Sequence, residues 1–196
     1  MNSCIMLAVS LHTPTDLDSI IDNSDLREDG LVKDSHITIL FDKVKEIPRD
    51  EVLPSISEIL GDEDYLVFLE VLKDNNKFKL TDIFELSTFE NGDSDYLIMR
   101  LKPNNEMYQV LSKLNSGLIK KYGTESDFIT YKPHMTLAEM IPGTASKYLN
   151  NKKLEAVLKD SKVGFEDIII SYGHDEGKYD KYNITTFHAI ERLFRK

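Results

Sequence analysis

Two short segments carry the residues best suited to chemistry, His36-Ile37-Thr38 and His134-Met135-Thr136. In a strand, residues i and i+2 face the same way, so each segment sets an imidazole beside a hydroxyl. On this alternation Leu40 joins His36 and Thr38, and Ala138 joins His134 and Thr136. Ile37, Ile39 and Phe41, and likewise Met135 and Leu137, form the opposite, apolar faces. An imidazole ordinarily titrates near pH ~6.5, which suits proton transfer in either direction at neutral pH. One ring can take a proton from an attacking hydroxyl while the other gives one to a leaving oxygen. Threonine hydroxyls can donate to the non-bridging oxygens of a phosphate between them. Phosphoryl transfer by such a set requires no metal ion and no cofactor. The plainer alternative is that a strand histidine is only a satisfied polar residue at a sheet edge.

The surrounding pattern supplies elements to position both segments. Ile5 to Leu11 reads as a strand, and the polar stretch from Thr13 to Lys33 reads as turns. His36 to Phe41 is rich in β-branched and aromatic residues, a second strand. Ile47-Pro48 stops it and opens a helix whose Val52, Ile56, Ile59 and Leu60 share a face, with Gly61 at its end. Tyr65 to Leu72 reads as a strand. Phe78 to Thr88 and Asp95 to Leu101 read as a strand pair, with Asn91-Gly92 a hairpin turn signal. Asn104 or Asn105 caps a helix with a stripe of Met107, Val110, Leu111, Leu114 and Leu118, closed by Gly123. Tyr131 to Met140 is a strand, and Ile141-Pro142 stops it. Thr144 or Ser146 then caps a helix to about Lys159. Phe165 to Tyr172 is a strand, Gly173 to Lys181 a charged loop, and Asn183 to Phe194 a final strand.

This order contains a weak internal repeat. Each half has a strand reading His, apolar, Thr, apolar, then Ile-Pro, a helix and another apolar strand. The two histidines lie half a chain length apart, which suggests two related lobes. Short tandem repeats, low-complexity tracts and flexible linkers are not evident.

The segments His36-Ile37-Thr38-Ile39-Leu40-Phe41 and Tyr131-Lys132-Pro133-His134-Met135-Thr136-Leu137-Ala138 resemble the two signature motifs of the 2H phosphoesterases. That superfamily includes LigT-like RNA cyclic phosphodiesterases, 2′-5′ oligoadenylate phosphodiesterases and phage anti-CBASS nucleases. Pro directly before the second histidine looks especially LigT-like. The resemblance covers nearly the whole chain in motif spacing and strand-helix order. It implies an α+β fold forming a single domain over residues 1–196 with two lobes. Two pseudo-symmetric antiparallel sheets would line a central cleft, with helices outside. It further implies His36 and His134 as the paired acid and base, and Thr38 and Thr136 as phosphate anchors. Two features depart from the LigT pattern. The first motif continues as Phe41-Asp42 in place of Phe-Leu-Gly, and the lead-in from Thr13 to Lys33 is long.

The implied activity is a metal-independent phosphodiesterase cleaving small cyclic or 2′-5′-linked oligonucleotides. The viral members extend this to a counter-defence enzyme that degrades cyclic nucleotide signals. The alternatives are an RNA 2′,3′-cyclic phosphodiesterase or 2′-5′ ligase-like end-processing enzyme, and a non-catalytic module that sequesters a nucleotide.

Other residues are weaker candidates. Lys132 shares the His134 face by alternation and can neutralise phosphate charge, though a solvated lysine fits equally. Tyr131 can stack a base, but its parity favours packing. Tyr172, Tyr179 and Tyr182 flank the late loop, with a stacking platform or lid as the functional reading and inert surface tyrosines as the plainer one. His174, Asp175 and Glu176 form a charged turn without regular metal-ligand spacing. His12, His188, Lys120, Lys121, Arg192, Arg195 and Lys196 read as structural or surface residues.

Composition bounds the partners. Basic residues number 24 against 34 acidic ones, a net charge of −10. A chain so acidic is a poor binder of long duplex nucleic acid, which leans on clustered Lys and Arg. A short anionic substrate in a local pocket remains compatible. The apolar run Ile5 to Val9 is short and has no basic residue before it, unlike a secretory signal, and no segment has membrane-span length. Cys4 is the only cysteine, so no internal disulfide framework is expected. The expected location is the cytoplasm (the host's, for a viral protein). Oligomeric state is not specified by these features.

Overall fold

The computed structural model describes residues 2–42, 45–73, 77–124, 130–173 and 179–184. Among the described residues, nine strands and five α-helices make a mixed α+β fold with one antiparallel sheet. The first strand, β1 (Asn2–His12), lies between β3 (His36–Asp42) and β8 (Lys162–Gly173). β4 (Phe78–Lys79) and β9 (Tyr179–Asn183) both pair with β8. On the other side β7 (His134–Met140) pairs with β6 (Ser94–Leu101), and β6 with β5 (Phe84–Asn91). β2 (Leu26–Leu31) pairs with β7 within the stretch expected to be turns alone.

The two groups of strands meet at β3 and β7, where Ile37 lies opposite Met135 as the one paired position. Hydrogen bonding therefore joins all nine strands in one sheet with a narrow junction at its middle. Both histidine segments sit at that junction.

Helices α1 (Arg49–Leu60), α2 (Asp62–Lys73) and α4 (Glu106–Tyr122) contribute to a shared core with the sheet. Ile5, Leu7, Ile37, Ile39, Met135 and Leu137 are buried from the sheet, and Val52, Ile56, Leu69, Leu111 and Leu114 from the helices. The α4 ends follow the sequence. Asn105 accepts from the Met107 N–H at 3.0 Å, and Gly123 closes the helix in the left-handed region at φ +64°. Short α3 (Leu80–Ile83) interrupts the expected strand from Phe78 to Thr88.

Tyr65 to Leu72 is helical in α2, not the expected strand. Tyr65, Phe68, Leu69 and Leu72 are buried at helical spacing, whereas Leu66 and Val67 are exposed. Three acidic residues, Asp62, Glu63 and Asp64, occupy the first turn and favour the helix N-terminus. A short apolar run alone does not separate these two outcomes. Likewise α5 (Lys152–Asp160) starts later than expected. Asn151 caps it by accepting from the N–H groups of Lys153 and Leu154, while Ala145–Tyr148 form a separate 3-10 turn.

β9 (Tyr179–Asn183) falls mostly in the stretch expected to be a charged loop, and the expected last strand, Asn183 to Phe194, lies outside the described residues beyond Ile184. So do His174, Asp175, Glu176, His188, Arg192, Arg195 and Lys196. Among the described residues, no helix is long and apolar enough to cross a membrane.

Candidate active site on the sheet face

β3 and β7 bury their residues in the same order. His36 and Thr38 are half-buried while Ile37 is fully buried, and His134, Thr136 and Met135 repeat this. The apolar residues anchor each strand to the core and turn the histidine and threonine to the other face. Because Ile37 faces Met135 in antiparallel register, one step either way directs His36 toward Thr136 and Thr38 toward His134. The two histidines are thus diagonal neighbours, roughly 7–8 Å apart on such a face. All four candidate side chains project from one patch of sheet.

Each imidazole is held in the same way. His36 Nδ1 lies 2.9 Å from the Asp34 carbonyl, and His134 Nδ1 lies 2.8 Å from the Lys132 carbonyl. A carbonyl oxygen only accepts, so Nδ1 carries the proton in both rings. The neutral form of each ring then has a basic Nε2, and its protonated form has an acidic Nε2.

Both strands are also bulged immediately after the threonine. Against β1, Thr38 pairs with Met6 and Leu40 with Ile5, leaving Ile39 as the extra residue. Against β6, Thr136 pairs with Ile98 and Ala138 with Leu97, leaving Leu137 extra. The bulges break the alternation, so Leu40 and Ala138 turn into the core with Ile39 and Leu137. The expectation that Leu40 and Ala138 share the histidine faces is thereby corrected. Glu139 and Phe41 resume the outward direction instead, being half-buried and exposed respectively.

Backbone acceptors around the first bulge are satisfied from outside the sheet. Asn115 of α4 donates Nδ2 to the Ile39 carbonyl at 2.7 Å, and Tyr131 donates its hydroxyl to the Thr38 carbonyl at 2.8 Å. Tyr131, half-buried and packed against the core, is therefore engaged with the first motif from just before the second. This is the packing that its parity favours. Burial, chiefly, pushes its phenol well above the ordinary tyrosine range. The exposed Lys132 lies in the short segment before β7, and it is its carbonyl that orients His134. Cys4 meets the Thr38 side chain; burial pushes its thiol up to about 11, offset in part by that contact.

The surroundings of the two histidines differ. Arg100 lies opposite His134 across β6 and β7, and its Nε donates to Glu85 Oε1 at 2.8 Å. Phe89 meets the His134 ring edge-to-face at 5.2 Å and stacks on Tyr96 at 4.6 Å. By contrast, Ala8 lies opposite His36, and a groove of about 610 Å³ opens there between β1, β8, β9 and the 33–35 loop. Lys181 Nζ and Asp34 Oδ2 stand 3.6 Å apart on its wall. Burial lowers the pKa of His134, and repulsion from the nearby His36 adds to this against the Lys132 hydrogen bond.

Arg100, Phe89, Tyr96 and Lys181 were not legible as site neighbours in the sequence, because cross-strand register brings them there. Only the hairpin signal at Asn91-Gly92 hinted that Phe89 and Tyr96 would stand side by side. Of the late tyrosines, Tyr172 is committed elsewhere, its buried hydroxyl donating to the Ile47 carbonyl at 2.7 Å. Tyr182 lies 5.9 Å from the Tyr172 ring and under the Arg49 guanidinium at 5.0 Å. Tyr179 is exposed. Among the described residues, no group of three His, Cys, Asp or Glu side chains is arranged to hold a metal ion.

The patch offers two basic-or-acidic Nε2 atoms flanking two hydroxyl donors, a set able to move protons on and off oxygens of one phosphate. Compared with known proteins, the chain matches no family model and no curated protein.

Proposed function

We propose that the protein is a 2H-type phosphodiesterase that cleaves small nucleotides without a metal ion, with its two lobes meeting at the β3–β7 junction. The carrying observation is the matched pair of histidines, each with Nδ1 tied to the carbonyl two residues earlier and each beside a threonine on one sheet face. Resemblance of both segments to the 2H motifs supports the same reading.

The step begins with His134, which its surroundings hold toward the neutral form. Its Nε2 takes a proton from the attacking oxygen, of water or of a neighbouring ribose hydroxyl. The oxygen lone pair forms the new P–O bond. The P–O bond to the leaving oxygen breaks with its electron pair, and that oxygen receives a proton from His36 Nε2. Thr38 and Thr136 donate hydrogen bonds to the non-bridging oxygens as their charge grows. His134 ends protonated and His36 neutral, and exchange with solvent resets both.

The net charge of −10 disfavours a long polyanion and favours a short oligonucleotide. The test is incubation in EDTA with cyclic dinucleotides, cyclic trinucleotides, 2′-5′ oligoadenylate and RNA ending in a 2′,3′-cyclic phosphate. The expected result is turnover of at least one substrate, lost in His36→Ala and in His134→Ala. Turnover of none would overturn the reading, and binding without turnover would establish a sequestering module instead.

A further inference from the structure

We infer that the groove beside His36 is a subsite for a second nucleoside, so that a phosphodiester joining two nucleosides is a better substrate than a terminal cyclic phosphate. This rests on the phosphodiesterase reading and adds the size and orientation of its substrate. The groove reaches His36 but not His134, so it extends the site to one side of the phosphate position. Its volume of about 610 Å³ falls in the usual range for small-molecule sites, roughly 300–1,000 Å³.

The chemistry of the lining fits a nucleoside. Ala8, directly across from His36, and Ile169, across from Asn183, give an apolar floor on which a flat base can lie. Asn183 offers both a donor and acceptor, and exposed Glu166 an acceptor, for base edges and ribose hydroxyls. The charged lining is Lys33 and Lys181 against Asp34, Glu166 and Asp167. Lys181 already faces Asp34 at 3.6 Å, so the groove carries no surplus of positive charge to hold a further phosphate. An uncharged nucleoside is therefore favoured over a longer phosphorylated chain.

Ser10 lines the groove two residues beyond Ala8 on the same strand face, away from His36, and Ser10→Tyr would obstruct it. The measurement is kcat/KM on two substrates: diadenosine monophosphate with one internal linkage, and adenosine 2′,3′-cyclic monophosphate. The expected loss for the dinucleotide is about tenfold or more, with the cyclic mononucleotide within about twofold. Asn183→Ala should give a smaller loss in the same direction, and unchanged melting temperatures exclude misfolding. Equal effects on both substrates, or none on the dinucleotide, would overturn the subsite.

Binding separates this from the catalytic reading. In a His36→Ala, His134→Ala background, calorimetry measures binding of the uncleaved dinucleotide with and without Ser10→Tyr. If the wild-type protein cleaves nothing yet Ser10→Tyr weakens this binding about tenfold, the subsite stands and the catalytic reading fails. If the dinucleotide neither binds nor is cleaved, the subsite is overturned as well.

Discussion

The neighbourhoods of His36 and His134 are alike in the first ring of contacts and unlike in the next. Each histidine opens a strand, ties Nδ1 to a carbonyl two residues back and precedes a threonine and a bulge. Beyond that, His36 faces an open groove with mixed charges, whereas His134 lies against Phe89 and opposite Arg100. The shared part ties up Nδ1 and leaves Nε2 as the nitrogen open to a ligand in both rings. The unshared part lowers the pKa of His134 by burial and leaves His36 beside the groove.

The largest effect should come from removing either ring. His36→Ala and His134→Ala are each expected to lower kcat by about 10²–10⁴-fold, measured under single-turnover conditions. Their circular dichroism should be unchanged, since both rings are half-buried on the face away from the core. Next come Thr38→Ala and Thr136→Ala, each expected to cost about 10²–10³ in kcat as oxyanion donors. Similar losses at the two positions would uphold the symmetry of the patch. A loss at one alone would break it.

Tyr131→Phe tests the link between the motifs. It removes the donor to the part-buried Thr38 carbonyl, at about 1 kcal/mol of stability by urea unfolding. A fall in kcat with little change in KM is expected, because the shift reaches chemistry through Thr38.

The smallest effect concerns protonation. His134 titrates below the ordinary imidazole value in the folded chain. As pH falls below about 6.5 the unfolded chain takes up this proton first, so folding stability declines toward the lowered folded value. Above about 6.5 this contribution is flat. The acidic limb of the kcat/KM profile should lie at the same lowered value. In His36→Gln the repulsive part disappears, and NMR titration should show the His134 pKa moving up. An unchanged or lowered pKa would mean that the rings do not sense one another.

Much of this arrangement can be read from residue order, and the limits have physical causes. Strands β3 and β7 announce themselves by β-branched and apolar alternation, and α4 by its Asn105 cap and Gly123 stop. The bulges do not, because Ile39-Leu40 and Leu137-Ala138 are apolar pairs that suit either face. β2 is hidden because Leu26 and Leu31 are its only positions paired with β7, with polar residues and a glycine between them. α2 was ambiguous because eight residues from Tyr65 hold enough apolar side chains to satisfy either period. Arg100 and Phe89 come to His134 through register, which depends on how separate strands align and leaves no trace at either position alone.

The central claim is that the two rings work as one unit on one phosphate. A double-mutant cycle of His36→Ala and His134→Ala on a substrate from the nucleotide panel tests it most directly, because groups acting together lose their effects together. The expected result is a double variant no slower than the slower single variant. Losses that multiply independently, or a protein lacking both rings that keeps wild-type turnover, would contradict it.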